Sequence, residues 1–307
     1  MLVTANNLSD LFTGFKTSFN KGFQGANSTY KTIAMEVPSG SREEKYAWLG
    51  QLPALREWIG PRIVHGLEVH GYTITNRPFE MTIGVKRDDI EDDNVGVFAP
   101  LFENMGYEAA RHPDALVYEL LNQGFVVPCY DGKPFFAVDH PINLSETEAV
   151  PHSNMQAGDG PAWFLIDGSR PIKPLVFQKR RDYTFDRMDA PTDEKVFNEG
   201  TFVYGVWARA NAGFGLWQLA YGSKAPLTPE NYEAARAAMK SVRGDNGRKL
   251  GVSPTLLVVP DELEGPALRI LKNDTRVITV GEPPDDLSMS VANEWAGSAE
   301  LVVSSYL

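Results

Sequence analysis

Cysteine is almost absent from this chain. One residue, Cys129, stands among 307, which excludes an internal disulfide and a multi-cysteine metal site and leaves a buried free thiol as the expected role. Long apolar runs are missing too. Nothing approaches the eighteen or so residues of a membrane span, and no basic segment followed by an apolar one opens the chain, so neither a membrane helix nor a signal peptide is expected. Positive charge is scarce: 29 Lys and Arg against 40 Asp and Glu leave a formal charge of −11. Grip on nucleic-acid phosphates depends on cations displacing counterions, so that balance argues against tight DNA wrapping. The vocabulary of catalysis is lacking as well, with no glycine-rich phosphate loop before Lys-Ser/Thr, no nucleophile elbow and no histidine pair at metal spacing.

What is present is a foldable chain, 43% hydrophobic and 11% aromatic, able to bury a substantial core. Residues 1–40 are rich in Asn, Ser, Thr and Gly, yet Leu8, Leu11, Phe12, Phe15, Phe19 and Phe23 recur at helical spacing, with Ser9 or Asp10 near the start. The spacing predicts an amphipathic helical arm. Its rings, Phe15 and Phe19 among them, have two possible seats: the chain's own core or a neighbouring subunit. Residues 41–77 place Trp48 and Trp58 among Gly50, Pro53, Gly60, Pro61, Gly66 and Gly71, punctuation that breaks long helices. Short strands or turns are expected there, the indoles covered by a neighbour or by the parent core.

Phe79 to Lys86 alternates apolar and polar for eight residues, the pattern of a half-buried strand. The acidic run Asp88, Asp89, Glu91, Asp92 and Asp93 lacks the spacing of a calcium loop and reads as the N-terminus of a helix starting near Asp93 or Asn94. From there Phe98, Leu101, Phe102, Met105, Ala109, Leu116, Leu120 and Leu121 carry a helical stripe to Gly124, about 40 Å of helix bent near Pro113. Thr201 to Tyr221 reads as two strands broken at Asn211-Ala212-Gly213, anchored by Trp207 and Trp217. Thr228-Pro229 opens a helix with Tyr232, Ala235, Met239 and Val242 on one stripe. Pro254 to Val259 is a buried strand leading to a capping-box helix, Asp261 with Glu264. Strand-turn-helix units of this kind suit an α+β fold.

Two alternative function classes need weighing. Cys129 and His140, separated by the turn Asp131-Gly132-Lys133-Pro134, are candidates for a thiol–imidazole pair in a hydrolase, and the acidic run for a metal site. Chance proximity is the commoner explanation of the first, helix capping of the second. Lys179-Arg180-Arg181 is a candidate nucleic-acid contact, but three cations in an acidic protein more readily meet carboxylates of a neighbour.

Several longer words resemble one family in the same order. Tyr46-Ala47-Trp48-Leu49-Gly50, Leu55-Arg56-Glu57-Trp58-Ile59-Gly60 and Arg87 to Asn94 come first. Pro128-Cys129-Tyr130-Asp131-Gly132, Trp163-Phe164-Leu165, Ile172 to Gln178 and Ala212 to Gln218 follow. Together they are similar to the Mu-like phage major head subunit, the gpT family, from Leu2 to about Leu271. The resemblance implies the Hong Kong 97-like capsid fold: an N-terminal arm (1–40), an extended loop (41–78), and a peripheral domain with a spine helix at about 94–123 (79–135). An axial domain with the remaining peripheral strands (136–290) and a C-terminal strand (291–307) complete it. It also implies a virion protein, assembled in the bacterial cytoplasm into pentamers and hexamers around packaged DNA. No enzyme activity, metal or cofactor is implied. Expected partners are further copies of the chain, a scaffold, a maturation protease, a portal and decoration proteins. The residues expected at assembly interfaces are Phe15, Phe19, Trp48, Trp58, Lys179, Arg180 and Arg181.

Overall fold

A computed structural model describes residues 2–46, 49, 72–92, 94–143, 149–244, 247–280 and 287–307. The first element, α1 (Ala5–Gly25), is capped by Thr4, whose hydroxyl accepts from the Asn7 amide at 3.3 Å. The helix thus begins a turn before Ser9 and Asp10. A short α2 (Tyr30–Ile33) leads into β1 (Ala34–Pro38), and β2 (Glu43–Lys45) pairs antiparallel with β3 (Thr73–Thr75). The alternating segment forms β4 (Arg77–Lys86), with Val85 buried and Glu80, Thr82 and Lys86 outside.

The acidic run does not cap the long helix. Asp88 and Asp89 lie in the first turn of a separate short helix, α3 (Arg87–Glu91), and a 3₁₀ turn over Asn94–Phe98 follows. The long helix α4 (Ala99–Asn122) starts later because Pro100 in its first turn fixes φ and lacks an N–H. Its 24 residues span about 36 Å and continue through Pro113. The buried Asp114 carboxylate then accepts from the amides of Thr29 and Tyr30 at 2.9 and 2.7 Å, tying α4 to the start of α2.

Downstream come β5 (His140–Asn143) with its antiparallel partner β6 (Ala149–His152), then β7 (Met155–Gln156), β8 (Trp163–Ile166), β9 (Leu175–Met188) and α5 (Glu194–Glu199). Next are β10 (Thr201–Phe214), β11 (Ala220–Ser223), α6 (Pro229–Ser241), β12 (Leu256–Val259) and α7 (Glu264–Lys272). A two-stranded β13 (Thr275–Val280) and β14 (Leu287–Ala292) precede β15 (Glu300–Val303). Expected breaks differ at two places. Asn211 to Phe214 stay paired with Gln178 to Leu175, so β10 runs 14 residues through the expected break, and the break before β11 falls later, at 215–219. Asp261 makes no capping box, since its carboxylate accepts from the Ser305 hydroxyl and a 3₁₀ turn precedes α7. The Thr228 cap of α6 forms as read, with its hydroxyl accepting from the Asn231 amide.

Two sheets organise the chain. One runs β1-β9-β10-β4, with β1 parallel to β9 and the other pairs antiparallel; the other runs β15-β12-β8-β11-β7. The larger core lies on the five-stranded sheet and gathers Trp163, Trp217, Phe135, Phe136 and the inner end of β9, Leu175 to Phe177. The smaller core sits between α1, α4 and the outer parts of β9 and β10, with Phe15, Phe102, Phe185 and Tyr204. The long β9–β10 ribbon therefore belongs to both cores and couples them. No helix among the described residues is long and apolar enough to cross a membrane.

Candidate assembly surfaces

Phe15 and Phe19 are turned inwards. At 4% and 3% exposure they fill the smaller core: Phe15 stacks on Phe102 at 4.2 Å and meets Tyr204 edge-on at 5.1 Å, and Phe19 stacks on Phe185 at 5.0 Å. Glycines bring the two helices together. A Cβ on Gly22 would lie 1.8 Å from the Glu103 carbonyl oxygen, and one on Gly106 would lie 2.0 Å from that of Phe19. Backbone meets backbone at that crossing, so of the two seats open to these rings the chain takes its own core. Phe15 and Phe19 are core residues of the single subunit, their apolar area already removed from water. Trp48 and Trp58 lie outside the described residues.

The three adjacent cations find partners within the chain. Lys179 Nζ is 2.6 Å from Glu36 Oε1 and 3.4 Å from Asp182 Oδ2. Burial opposes its charge, but those carboxylates outweigh it and hold the ammonium above its ordinary value. Arg180 donates to the Ser39 carbonyl at 3.1 Å. Arg181 lies 3.8 Å from the centre of the Trp207 ring, whose Nε1–H donates to Asp186 at 2.9 Å. The expected carboxylates of a neighbour are thus matched here by groups of the same chain, although Arg180 and Arg181 remain exposed.

Other exposed apolar groups escaped the sequence reading. Phe197, 80% exposed on α5, stands at the outer end of the β9–β10 ribbon, while its neighbour Val196 is buried. Two adjacent apolar residues on a short helix must face different ways, and that was the available signal. Val97 and Leu101 are exposed at the head of α4, beside a groove of about 370 Å³ whose walls include Leu11, Phe15, Val95 and Ala99. Val277 and Met289 are exposed on the β13–β14 hairpin.

Cys129 and His140 do meet, through Asp131. The Cys129 thiol donates to Asp131 Oδ1 at 3.1 Å, and His140 Nδ1 lies 2.6 Å from Oδ2. Burial, then the adjacent carboxylate, push the thiol well above its ordinary range, which disfavours the free thiolate that a cysteine nucleophile needs. Burial works against the Asp131 charge too, but hydrogen bonds with His140 and Cys129 prevail and hold it below the usual carboxylate range. His140 stacks on Trp217 at 4.1 Å with planes 8° apart, and His152, its cross-strand partner, stacks on the same indole at 5.9 Å.

Two coupled cores, a docked helical arm and exposed apolar groups at the ribbon tip and helix head describe a building block, and comparison with known proteins agrees. The sequence pattern of the Mu-like prophage major head subunit gpT matches residues 8–307. The chain belongs to this family. As a gpT head subunit it is 41% identical over 313 aligned residues to the major capsid protein of Escherichia phage Mu, covering 100% of both chains. It is 39% identical to the Mu-like prophage FluMu major head subunit of Haemophilus influenzae, over 99% of each. Among solved structures, the procapsid of bacteriophage JBD30 superposes with a TM-score of 0.85 at 40% identity, covering 99% of this chain and 100% of that one. The JBD30 capsid superposes with a TM-score of 0.73 at 31% identity, covering 100% and 99%. These gpT relatives are capsid structural proteins, and so is this chain: its fold is the α+β phage capsid fold, its role is to form the virion shell, and it is not an enzyme.

Proposed function

We propose that this head subunit closes into pentamers and hexamers that tile an icosahedral shell around packaged DNA, and that assembly takes place in the bacterial host's cytoplasm. The observation that carries this reading is the full-length likeness to a procapsid protein at 40% identity. The larger core, on the five-stranded sheet, is assigned to the axial domain and the smaller core with α4 as spine to the peripheral domain, with residues 41–78 as the extended loop. The JBD30 capsid is decorated by minor capsid protein trimers; a decoration protein, a scaffold, a maturation protease and a portal are proposed as this chain's partners.

The physical logic is additive. Exposed apolar groups such as Phe197 and Val97 gain burial only against another molecule, and ring closure multiplies individually weak contacts. The charge of −11 keeps free subunits soluble and gives packaged DNA little to adhere to. Size-exclusion chromatography and negative-stain microscopy of the purified chain test the reading: capsomers or shells are expected, and a strictly monomeric protein at high concentration would refute it. Trp48→Ala and Trp58→Ala are expected to leave a folded subunit and to impair shells, since interface tryptophan truncations often cost about 2 kcal/mol or more. Loss of the native circular dichroism signal in both would place the indoles in the subunit's own core.

A further inference from the structure

Cys129 and Asp131 sit on a tight turn between the bridged residues Pro128 and Pro134, which Gly132 makes possible by adopting a φ of +80°. The Cys129 amide donates to the Lys133 carbonyl at 2.8 Å and closes the turn. His140, fully buried, enters from the first position of β5. One ligand atom from each residue, the Cys129 sulfur, an Asp131 oxygen and a His140 nitrogen, falls within 4.8 Å of the others.

The hydrogen bonds around His140 impose a constraint. Its Nε2 is 3.2 Å from the Phe135 carbonyl oxygen, which can only accept, so Nε2 carries a hydrogen. In a neutral ring this leaves a lone pair on Nδ1, aimed at Asp131 Oδ2 only 2.6 Å away. Two lone pairs at that separation repel unless positive charge lies between them. A proton is one answer. A metal ion is the other: with bonds of about 2 Å to each atom it would enter between them once the pair widens, and the Cys129 sulfur, whose thiol donates to the second oxygen of the same carboxylate at 3.1 Å, is placed as a third donor.

We propose that Cys129, Asp131 and His140 form a binding site for one divalent transition-metal cation of the zinc class. Sulfur, nitrogen and oxygen donors together suit zinc and exclude magnesium or calcium, which take oxygen ligands. The carboxylate turns one oxygen towards the sulfur and the other towards Nδ1, so both can share the cation. Charge balances: a thiolate and a carboxylate neutralise the divalent ion in a buried place. Two protons leave for solvent, the thiol's and the one shared between Asp131 and His140. The Nε2–H bond to Phe135 is the outer bond that metal-ligating histidines almost always make, and the flat stack on Trp217 fixes the ring plane. Buried in the larger core, the ion fastens the 129–133 turn to β5.

Cobalt(II) is the probe. The full-length wild-type chain is stripped with chelator, returned to buffer and titrated. A thiolate-to-cobalt charge-transfer band saturating at one equivalent is expected, with zinc displacing it and raising the melting temperature. Calorimetry in two buffers of different ionisation enthalpy should report about two protons released per cation. Cys129→Ser should lose the charge-transfer band, and His140→Gln should weaken binding at least tenfold. A folded wild type that gives neither band nor zinc-dependent stabilisation would mean a proton bridge only and overturns the proposal, as does zinc retention unchanged in Cys129→Ser. The wild-type titration does not depend on any variant folding.

Discussion

Truncating Phe15 to alanine separates two accounts of the arm. The ring is buried against Phe102 and Tyr204, and Phe12 and Phe19 flank it on the same face of α1 and stack on Phe185. Its removal takes away the transfer free energy of a full phenyl group and leaves a cavity between two helices held apart by their backbones at Gly22 and Gly106. Phe→Ala changes in such places cost about 3–5 kcal/mol. The ring lies in the smaller core, so the measurement should be made there. Native-state hydrogen exchange on the unassembled subunit, read at the amides of α1 and α4, reports that opening. With each 1.36 kcal/mol worth a factor of ten, exchange there should quicken by roughly 10²- to 10⁴-fold, while amides of β8 and β12 stay protected. If protection in α1 and α4 is unchanged and only shell formation fails, the ring is seated on a neighbour and the packing argument is wrong.

Three further outcomes follow from the same geometry. Gly106→Ala should destabilise the subunit in chemical denaturation, reversing the gain of about 0.5–1 kcal/mol that such a change normally gives inside a helix, because its Cβ would meet the Phe19 carbonyl oxygen; a stabilised variant would mean the helices are not in contact. Burial opposes ionisation of Glu36, but hydrogen bonds from Lys179 and the Tyr30 hydroxyl prevail and hold its carboxyl below the ordinary range. Its contribution is therefore complete above the ordinary carboxylate range and disappears as pH falls through the lowered value, so Glu36→Gln should flatten the acid limb of a stability–pH profile and leave the limb above neutrality unchanged. Neutralising Arg180 and Arg181 together should cost the monomer about 1 kcal/mol through the lost contact with Trp207, and should slow assembly in a manner that chloride mimics and sulfate does not; assembly at the wild-type rate across the chloride range would show these cations to be solvated surface.

The elements that could be read from the sequence are those whose cause is local. The stripe from Leu8 to Phe23, the alternation of Phe79 to Lys86, the Thr228 cap and the apolar run before Pro260 each carry their own periodicity, and each is an element of the fold. Where the cause was distant the reading faltered. The unbroken β10 is set by the residues of β9 opposite Asn211 to Phe214, not by the turn-forming word itself. The start of α4 answers to Pro100 rather than to a run of carboxylates. Whether Phe15 faces a neighbour or its own core depends on glycines 84 positions apart in sequence, Gly22 and Gly106, which periodicity cannot join. Cys129, Asp131 and His140 were visible as residue types, but their convergence required the turn at Gly132 and the indole of Trp217.

The parallel pairing of β1 with β9 has a consequence for how the chain is made. Ala34 aligns with Leu175, about 140 residues further on, so during synthesis the first strand emerges long before its partner exists. At translation rates of about 5–20 residues per second, the wait lasts roughly 7–28 s. The arm helix waits as well, since Phe102 and Phe185, the rings that cover its phenyl face, come later in the chain. Throughout that interval the nascent polypeptide carries a row of aromatic side chains whose cover has yet to be made, so the chain's beginning stays open to any apolar surface it meets until its later residues arrive.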